Sequence, residues 1–191
     1  MFIKILLSLL LLGFVEIIYG APTSNANPWG KKNVTYTIID DPMNLSPVEI
    51  RPILSKAFNA WSSVIPLNFI EVEQNSTTKA DIEVIFTSSE GNPLFADRSG
   101  FVIPYKTIYL FTDSPRTINI IGQNVDQIQT DFYYEALYNV GKVLGLRDSR
   151  NKNSMMYTGY TTPVDSSGNY IEPKLSAEDI KAAQKIYGQR K

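Results

Sequence analysis

The chain contains neither histidine nor cysteine in its 191 residues. Without imidazole or thiolate it lacks the side chains that supply the nitrogen and sulfur ligands of zinc sites. Without cysteine it can form no disulfide, although small extracellular domains often depend on them. An excess of one charge is missing too: 18 basic residues stand against 19 acidic ones, and no basic block marks a surface for nucleic acid or anionic membrane. What remains is a globular composition. Hydrophobic residues make up 43% and aromatic residues 12%, enough for a packed core rather than a disordered chain. No internal repeat, phosphate loop or cofactor signature stands out, and the glycine-bearing stretches read as turns.

Residues 1–20 read as a signal peptide. Lys4 gives the positive start, residues 5–15 are an apolar run, and Gly20 is the small residue before a cut at Ala21. Glu16 ends the run short of the ~20 apolar residues that a membrane span needs. The expectation is cleavage, an extracellular location and no span afterwards. There follow an N-terminal arm (21–30), one domain (31–188) and a short tail (189–191), expected to act as a monomer. A mature chain of roughly 170 residues can bury a sufficient core without disulfides. Asn33, Asn44 and Asn75 each begin an Asn-x-Ser/Thr triplet and are candidate glycosylation sites.

Val34-Thr35-Tyr36-Thr37-Ile38 alternates as a strand does. Ser46 as N-cap, Pro47 at the first helical position and Glu49 closing a capping box mark a helix start. Ile50, Ile53, Leu54, Ala57, Phe58 and Trp61 then form one apolar face. Residues 67–72 and the alternating Ile82, Val84 and Phe86 predict two further strands, and residues 101–103 and 108–111 two short ones. Residues 112–129 have no clear period. From Asp131, the spacing of Phe132, Ala136, Leu137, Val140, Val143 and Leu144 predicts a second helix, with Gly145 where a left-handed cap belongs. After a long connection (151–173), a last helix starts at Ser176, carries Ile180, Ala183, Ile186 and Tyr187 on one side, and ends at Gly188.

One stretch carries a spacing of chemical interest. Leu137-Tyr138-Asn139-Val140-Gly141-Lys142-Val143-Leu144-Gly145-Leu146-Arg147-Asp148-Ser149, followed by Met155-Met156-Tyr157, has the frame H-E-x-x-H-x-x-G-x-x-H and Met-turn of the metzincin proteases. The strand at 34–38, the segment Ala57-Phe58-Asn59-Ala60-Trp61 running on to Pro66-Leu67-Asn68-Phe69, Ala80-Asp81-Ile82, and Leu175-Ser176-Ala177-Glu178-Asp179-Ile180 with Ile186-Tyr187-Gly188 occur in matching order. Together they resemble the catalytic domain of the matrixins, the matrix metalloproteinase family, over residues 28–188. The resemblance implies an α/β (α+β) fold: a twisted, mostly parallel five-stranded sheet with one antiparallel edge strand, two large helices and a C-terminal helix. It also implies zinc and calcium as the family's metals.

In this sequence the three ligand positions hold Tyr138, Lys142 and Asp148, and the general-base position holds Asn139. A neutral phenol is a poor zinc ligand, an ammonium has no lone pair to give, and one carboxylate does not make a site. An amide cannot take up and relay a proton as glutamate does. The loop matching the family's H-G-D reads Glu90-Gly91-Asn92, its two later histidines align with Ile103 and Tyr109, and the calcium loop is shortened. No metal cofactor is therefore expected. With no cysteine there is no thiol to restrain a zinc, and no propeptide is expected between leader and domain. Lys142 and Asp148 either pair across the old zinc position, with Tyr138 bonding into the pair, or stand solvated at the rim. Met156 reads as core filler.

The expectation is a secreted, non-catalytic matrixin-like protein that binds a protein or peptide, such as a protease inhibitor or matrix component. The candidate cleft runs between the edge strand at Phe101, Val102 and Ile103 and a wall at Tyr157 and Tyr160. Pro104 lacks a backbone donor there, and Thr158-Gly159 replaces the family's usual proline-containing wall. Two alternatives stand beside this: a zinc metalloendopeptidase with unorthodox ligands that degrades extracellular matrix proteins, and a structural component of an extracellular material.

Overall fold

The computed structural model describes residues 27–39, 47–74, 79–90, 99–125 and 129–191. The leader, Ser46, Asn44, Asn75, Gly91 and Asn92 lie outside them. Strands β1 (Asn33–Ile39), β2 (Asn68–Glu71), β3 (Ile82–Thr87), β4 (Gly100–Ile103) and β5 (Thr107–Phe111) form one sheet in the order β2-β1-β3-β5-β4. β1 runs parallel to β2 and β3, and β3 to β5. Only β4, at the edge, is antiparallel to its neighbour. With helices α1 (Pro47–Ser62), α2 (Phe132–Val143) and α3 (Ala177–Tyr187), this is the α/β architecture that the resemblance implies. Among the described residues, no helix is long and apolar enough to cross a membrane.

The patterns in the sequence explain the packing. Ile82, Val84 and Phe86 are buried, while Glu83, Ile85 and Thr87 between them are half-buried on the opposite face. The apolar stripe of α1 meets the sheet and α2, burying Ile50, Leu54, Ala57, Phe58 and Trp61. Tyr36 of β1 stacks on Phe58 with ring centroids 4.2 Å apart. Trp61 packs beneath α2 and donates its Nε1–H to the Leu137 carbonyl at 2.9 Å, so its one polar atom is satisfied in the core. Gly141 permits this contact: a Cβ there would lie 2.4 Å from Met156 Sδ and 2.8 Å from the Trp61 ring.

Asp81 gives the Ala80-Asp81-Ile82 segment a structural reason. Its carboxylate accepts from Thr35 N at 2.7 Å and Thr35 Oγ1 at 2.9 Å, joining the approach to β3 to β1, and Lys31 pairs with it at 2.8 Å. The termini of the described body are tied down as well. Trp29 stacks on Tyr187, and Arg190 donates from Nε to the carbonyls of Ser62 at 2.6 Å and Ile65 at 3.0 Å.

A second, two-stranded sheet was not predicted. β6 (Arg116–Thr117) and β7 (Thr130–Asp131) pair in parallel within and beside the stretch that carries no period. Two-residue strands are too short to show an alternation.

Candidate functional site

The candidate site is built at the end of α2. The helix closes in a Schellman motif: Gly145 N donates to the Lys142 carbonyl at 2.9 Å and Leu146 N to the Gly141 carbonyl at 3.1 Å. Gly145 has φ +83°, which suits glycine, and any Cβ there would also fall 2.0 Å from the Tyr105 hydroxyl. Tyr105 reaches this point from the β4–β5 turn and donates its backbone N–H to the Val143 carbonyl at 2.7 Å. The glycine turn thus serves both to reverse the chain and to admit a neighbouring ring. Beyond it, Ser149 N donates to the Met156 carbonyl and Thr158 N to the Ser149 carbonyl, which fixes Asp148 beside the wall segment at 157–160.

Tyr138 and Lys142, one helical turn apart, both reach Asp148. The Tyr138 hydroxyl donates to Asp148 Oδ1 at 2.9 Å, and Lys142 Nζ donates to the same oxygen at 2.8 Å. Of the two arrangements left open by the sequence, the structure contains the pair. Partial burial works to raise the Asp148 carboxyl, but hydrogen bonds from Lys142 and Tyr138 and the Lys142 charge outweigh it and hold it below the usual carboxylate range. Asn139, on the same helix, is buried.

Beneath the site, the Met-turn is held from α3. Ser176 caps that helix, and the Asp179 carboxylate completes the capping box by accepting from Ser176 N at 2.7 Å. The same carboxylate accepts from Met155 N at 2.8 Å and from the Ser154 hydroxyl. Met156 sits against Gly141 in the core.

A cavity of about 490 Å³ opens beside Tyr138 and Asp148. Tyr134, Glu135 and Tyr138 of α2 line one side, and Tyr157, Gly159 and Tyr160 the other. Glu135 forms a bidentate ion pair with Arg116, Nε to Oε2 at 2.5 Å and Nη2 to Oε1 at 3.1 Å, and both side chains are only 4% exposed. The remaining Arg116 donors go to carbonyls: Ser99 at 2.7 Å, Ser114 at 3.3 Å, and Phe111. Asp131 caps α2 by accepting from Tyr134 N at 2.7 Å, and its own N–H donates to the Tyr160 hydroxyl at 3.0 Å. Burial raises the Asp131 carboxyl above its ordinary value despite the bonds from Tyr134, Asn119 and Tyr170.

Of the predicted cleft residues, Tyr157 and Tyr160 line this cavity. Phe101, Val102 and Ile103 lie on edge strand β4, which enters the cavity wall only at Gly100. The Phe101 ring stacks on Tyr109 at 4.3 Å, and Ile103 faces Thr107 in register, so the two positions aligned with family histidines serve as strand packing. Asn33 is exposed at the start of β1, its Oδ1 accepting from Asn68 Nδ2 at 3.0 Å. Sequence reasoning missed Arg116 and Glu135. The available signal was Glu135 itself, an acidic residue one turn before Asn139 on a face that is otherwise buried.

The family model for matrixin matches residues 28–188. The chain belongs to the matrixin family. Among relatives of this matrixin, matrix metalloproteinase-C of Caenorhabditis elegans is 34% identical across 84% of this chain and 28% of its own length. Stromelysin-3 of Xenopus laevis is 33% identical over 84% of this chain and 32% of its own. Human matrilysin is 30% identical over 87% and 61%. The chain thus spans between about a quarter and three-fifths of these relatives, whose names mark metalloproteinases in the first case and place no metal on this chain.

The side chains at this matrixin's ligand positions do not fit zinc. Zinc takes lone pairs from neutral imidazole, thiolate or carboxylate. Here an ammonium and a phenol both point hydrogens at Asp148 Oδ1, and Asp148 is the one carboxylate among the three ligand positions. Among the described residues, no group of three His, Cys, Asp or Glu side chains is placed to hold a metal ion.

The pair itself has a modest, testable effect. Lys142 and Asp148 side chains are 25% and 45% exposed, so solvent screening limits their pairing to about 1 kcal/mol or less. A carboxyl depressed in the folded state stabilises above its unfolded pKa, and that stabilisation is lost as pH falls through the folded pKa. Lys142→Met is expected to move the Asp148 pKa upward in a carboxyl NMR titration. Its stability deficit against the parent chain is expected at neutral pH and to shrink below the usual carboxylate range.

Proposed function

We propose that this matrixin is a secreted, non-catalytic protein whose cleft binds an extended segment of a protein partner, such as a protease inhibitor or a matrix component. The observation that carries this reading is the closed contact of Tyr138, Lys142 and Asp148 at the former ligand positions. Hydrolysis by a metalloprotease needs a metal-bound water and a base to activate it. An ammonium at a ligand position repels the cation, and Asn139 offers no base. The leader supports secretion.

Edge strand β4 supports binding, since strand addition uses a sheet edge and, among the described residues, no strand pairs with the outer side of β4. Metal content measured alongside peptide cleavage on the full chain tests the reading against a metalloendopeptidase with unorthodox ligands.

A further inference from the structure

We propose that the isoleucine turn after β6, with Ile171 beside it, is a docking surface for an anionic lipid bilayer, separate from the cleft. Residues Ile120 to Gln123 form a β-turn. Gln123 N donates to the Ile120 carbonyl at 3.0 Å, and Gly122 takes φ +81° at the third position, as a type II turn requires. Turn corners ordinarily carry polar residues, glycine or proline. Here Ile120 and Ile121 are 61% and 65% exposed. Ile171, 49% exposed, joins Ile121 around one recess that Pro163 and Pro173 also line. None of these residues lines the cavity beside Tyr138. Clustered exposed isoleucines bury little for the fold, and a local rule broken without such a gain marks an interaction surface.

The charges beside the isoleucines select the occupant. Lys174 lines the same recess, and Lys152 and Lys174 line an adjoining one with Ile171. Glu172, the one acidic residue in the two linings, is paired with Lys56. Among the described residues, no ion pair engages Lys152 or Lys174. These two cations come from separate segments, so no basic block marks them in the sequence. The occupant must therefore be apolar and anionic together. A second copy docked about a two-fold axis would set the same lysines against each other. A bilayer fits better, because a turn corner projects from the surface and can enter among headgroups, whereas an acidic peptide segment is held best in a groove. The backbone is prepared for that environment. Gly122 N donates to the Tyr170 carbonyl at 3.0 Å, Tyr170 N to the Gln123 carbonyl at 2.7 Å, and Ile171 N to the Pro163 carbonyl at 2.9 Å.

The chain has no cysteine, so one introduced thiol carries a probe at a single position. The test labels Ile121→Cys of the full chain with the polarity-sensitive fluorophore NBD. It is titrated with phosphatidylcholine vesicles, plain or containing about 30% phosphatidylserine. Ile70→Cys, on edge strand β2 and also exposed, carries the same label as the control. The probe at 121 is expected to shift to the blue on anionic vesicles at about one tenth of the lipid needed with plain ones, while the probe at 70 does not move. Lys152→Ser/Lys174→Ser is expected to remove that preference. No shift at 121, an equal shift at 121 and 70, or an equal response to both vesicle types overturns the proposal. A shift at 121 with a Glu- and Leu-rich peptide but not with vesicles also overturns it, and assigns the surface to an acidic protein segment.

Discussion

Replacing Tyr138, Asn139, Lys142 and Asp148 together by His, Glu, His and His is expected to create a stoichiometric zinc site. The backbone that such a site needs is in place. Positions 138 and 142 present their side chains one turn apart, and the Schellman turn at Gly145 brings position 148 within hydrogen-bonding distance of both. Met156 and Trp61 support α2 from below at Gly141. Three imidazoles exchanged into this convergence supply the lone pairs that the ammonium and phenol cannot. Binding worth on the order of 10 kcal/mol, a submicromolar Kd, is the expected scale. Competition with a colorimetric chelator measures it. A folded quadruple variant that takes up no zinc would show that the fold has lost more than its ligands.

The second large effect concerns the buried ion pair. Arg116→Met is expected to destabilise the chain by about 3–5 kcal/mol, because it leaves the Glu135 carboxylate charged and unpaired at 4% exposure. For a domain of this size the loss corresponds to a fall in Tm on the order of 10 °C. The double variant Arg116→Met/Glu135→Leu is expected to recover most of it, since apolar replacement of both partners removes the orphaned charge. The Ser99 and Phe111 carbonyls each keep a backbone partner when Arg116 is gone, which limits the residual cost. Calorimetry of the parent, single and double variants gives the answer. A double variant as unstable as the single one would mean that the arginine acts mainly through the carbonyls.

The fold was largely legible because its signals are periodic and local. The α1 stripe from Ile50 to Trp61, the alternation in β3, the helix starts at Asp131 and Ser176 and the glycine cap at Gly145 each occupy a few adjacent turns or residues. The frame from Tyr138 to Asp148 could be read for the same reason, and side-chain chemistry alone disfavoured zinc there. Spacing could not decide whether Lys142 and Asp148 meet, since six residues and a reversing turn separate them. Arg116 and Glu135 were out of reach for a different cause. Nineteen residues apart, one in a two-residue strand and one in a helix, they are joined only by the folded arrangement of β6 and α2. Asp179 was read as part of a helix start, whereas its hold on the Met-turn crosses from α3 to a loop more than twenty residues earlier.

On the function proposed above, this matrixin keeps the family's fold without its metal chemistry. Zinc content of the full chain, purified without chelator and equilibrated with excess zinc, tests it most directly when read with cleavage of a quenched fluorescent peptide. Zinc well below one equivalent is expected, with no hydrolysis above background and no effect of chelator. One equivalent of zinc together with chelator-sensitive hydrolysis would contradict it.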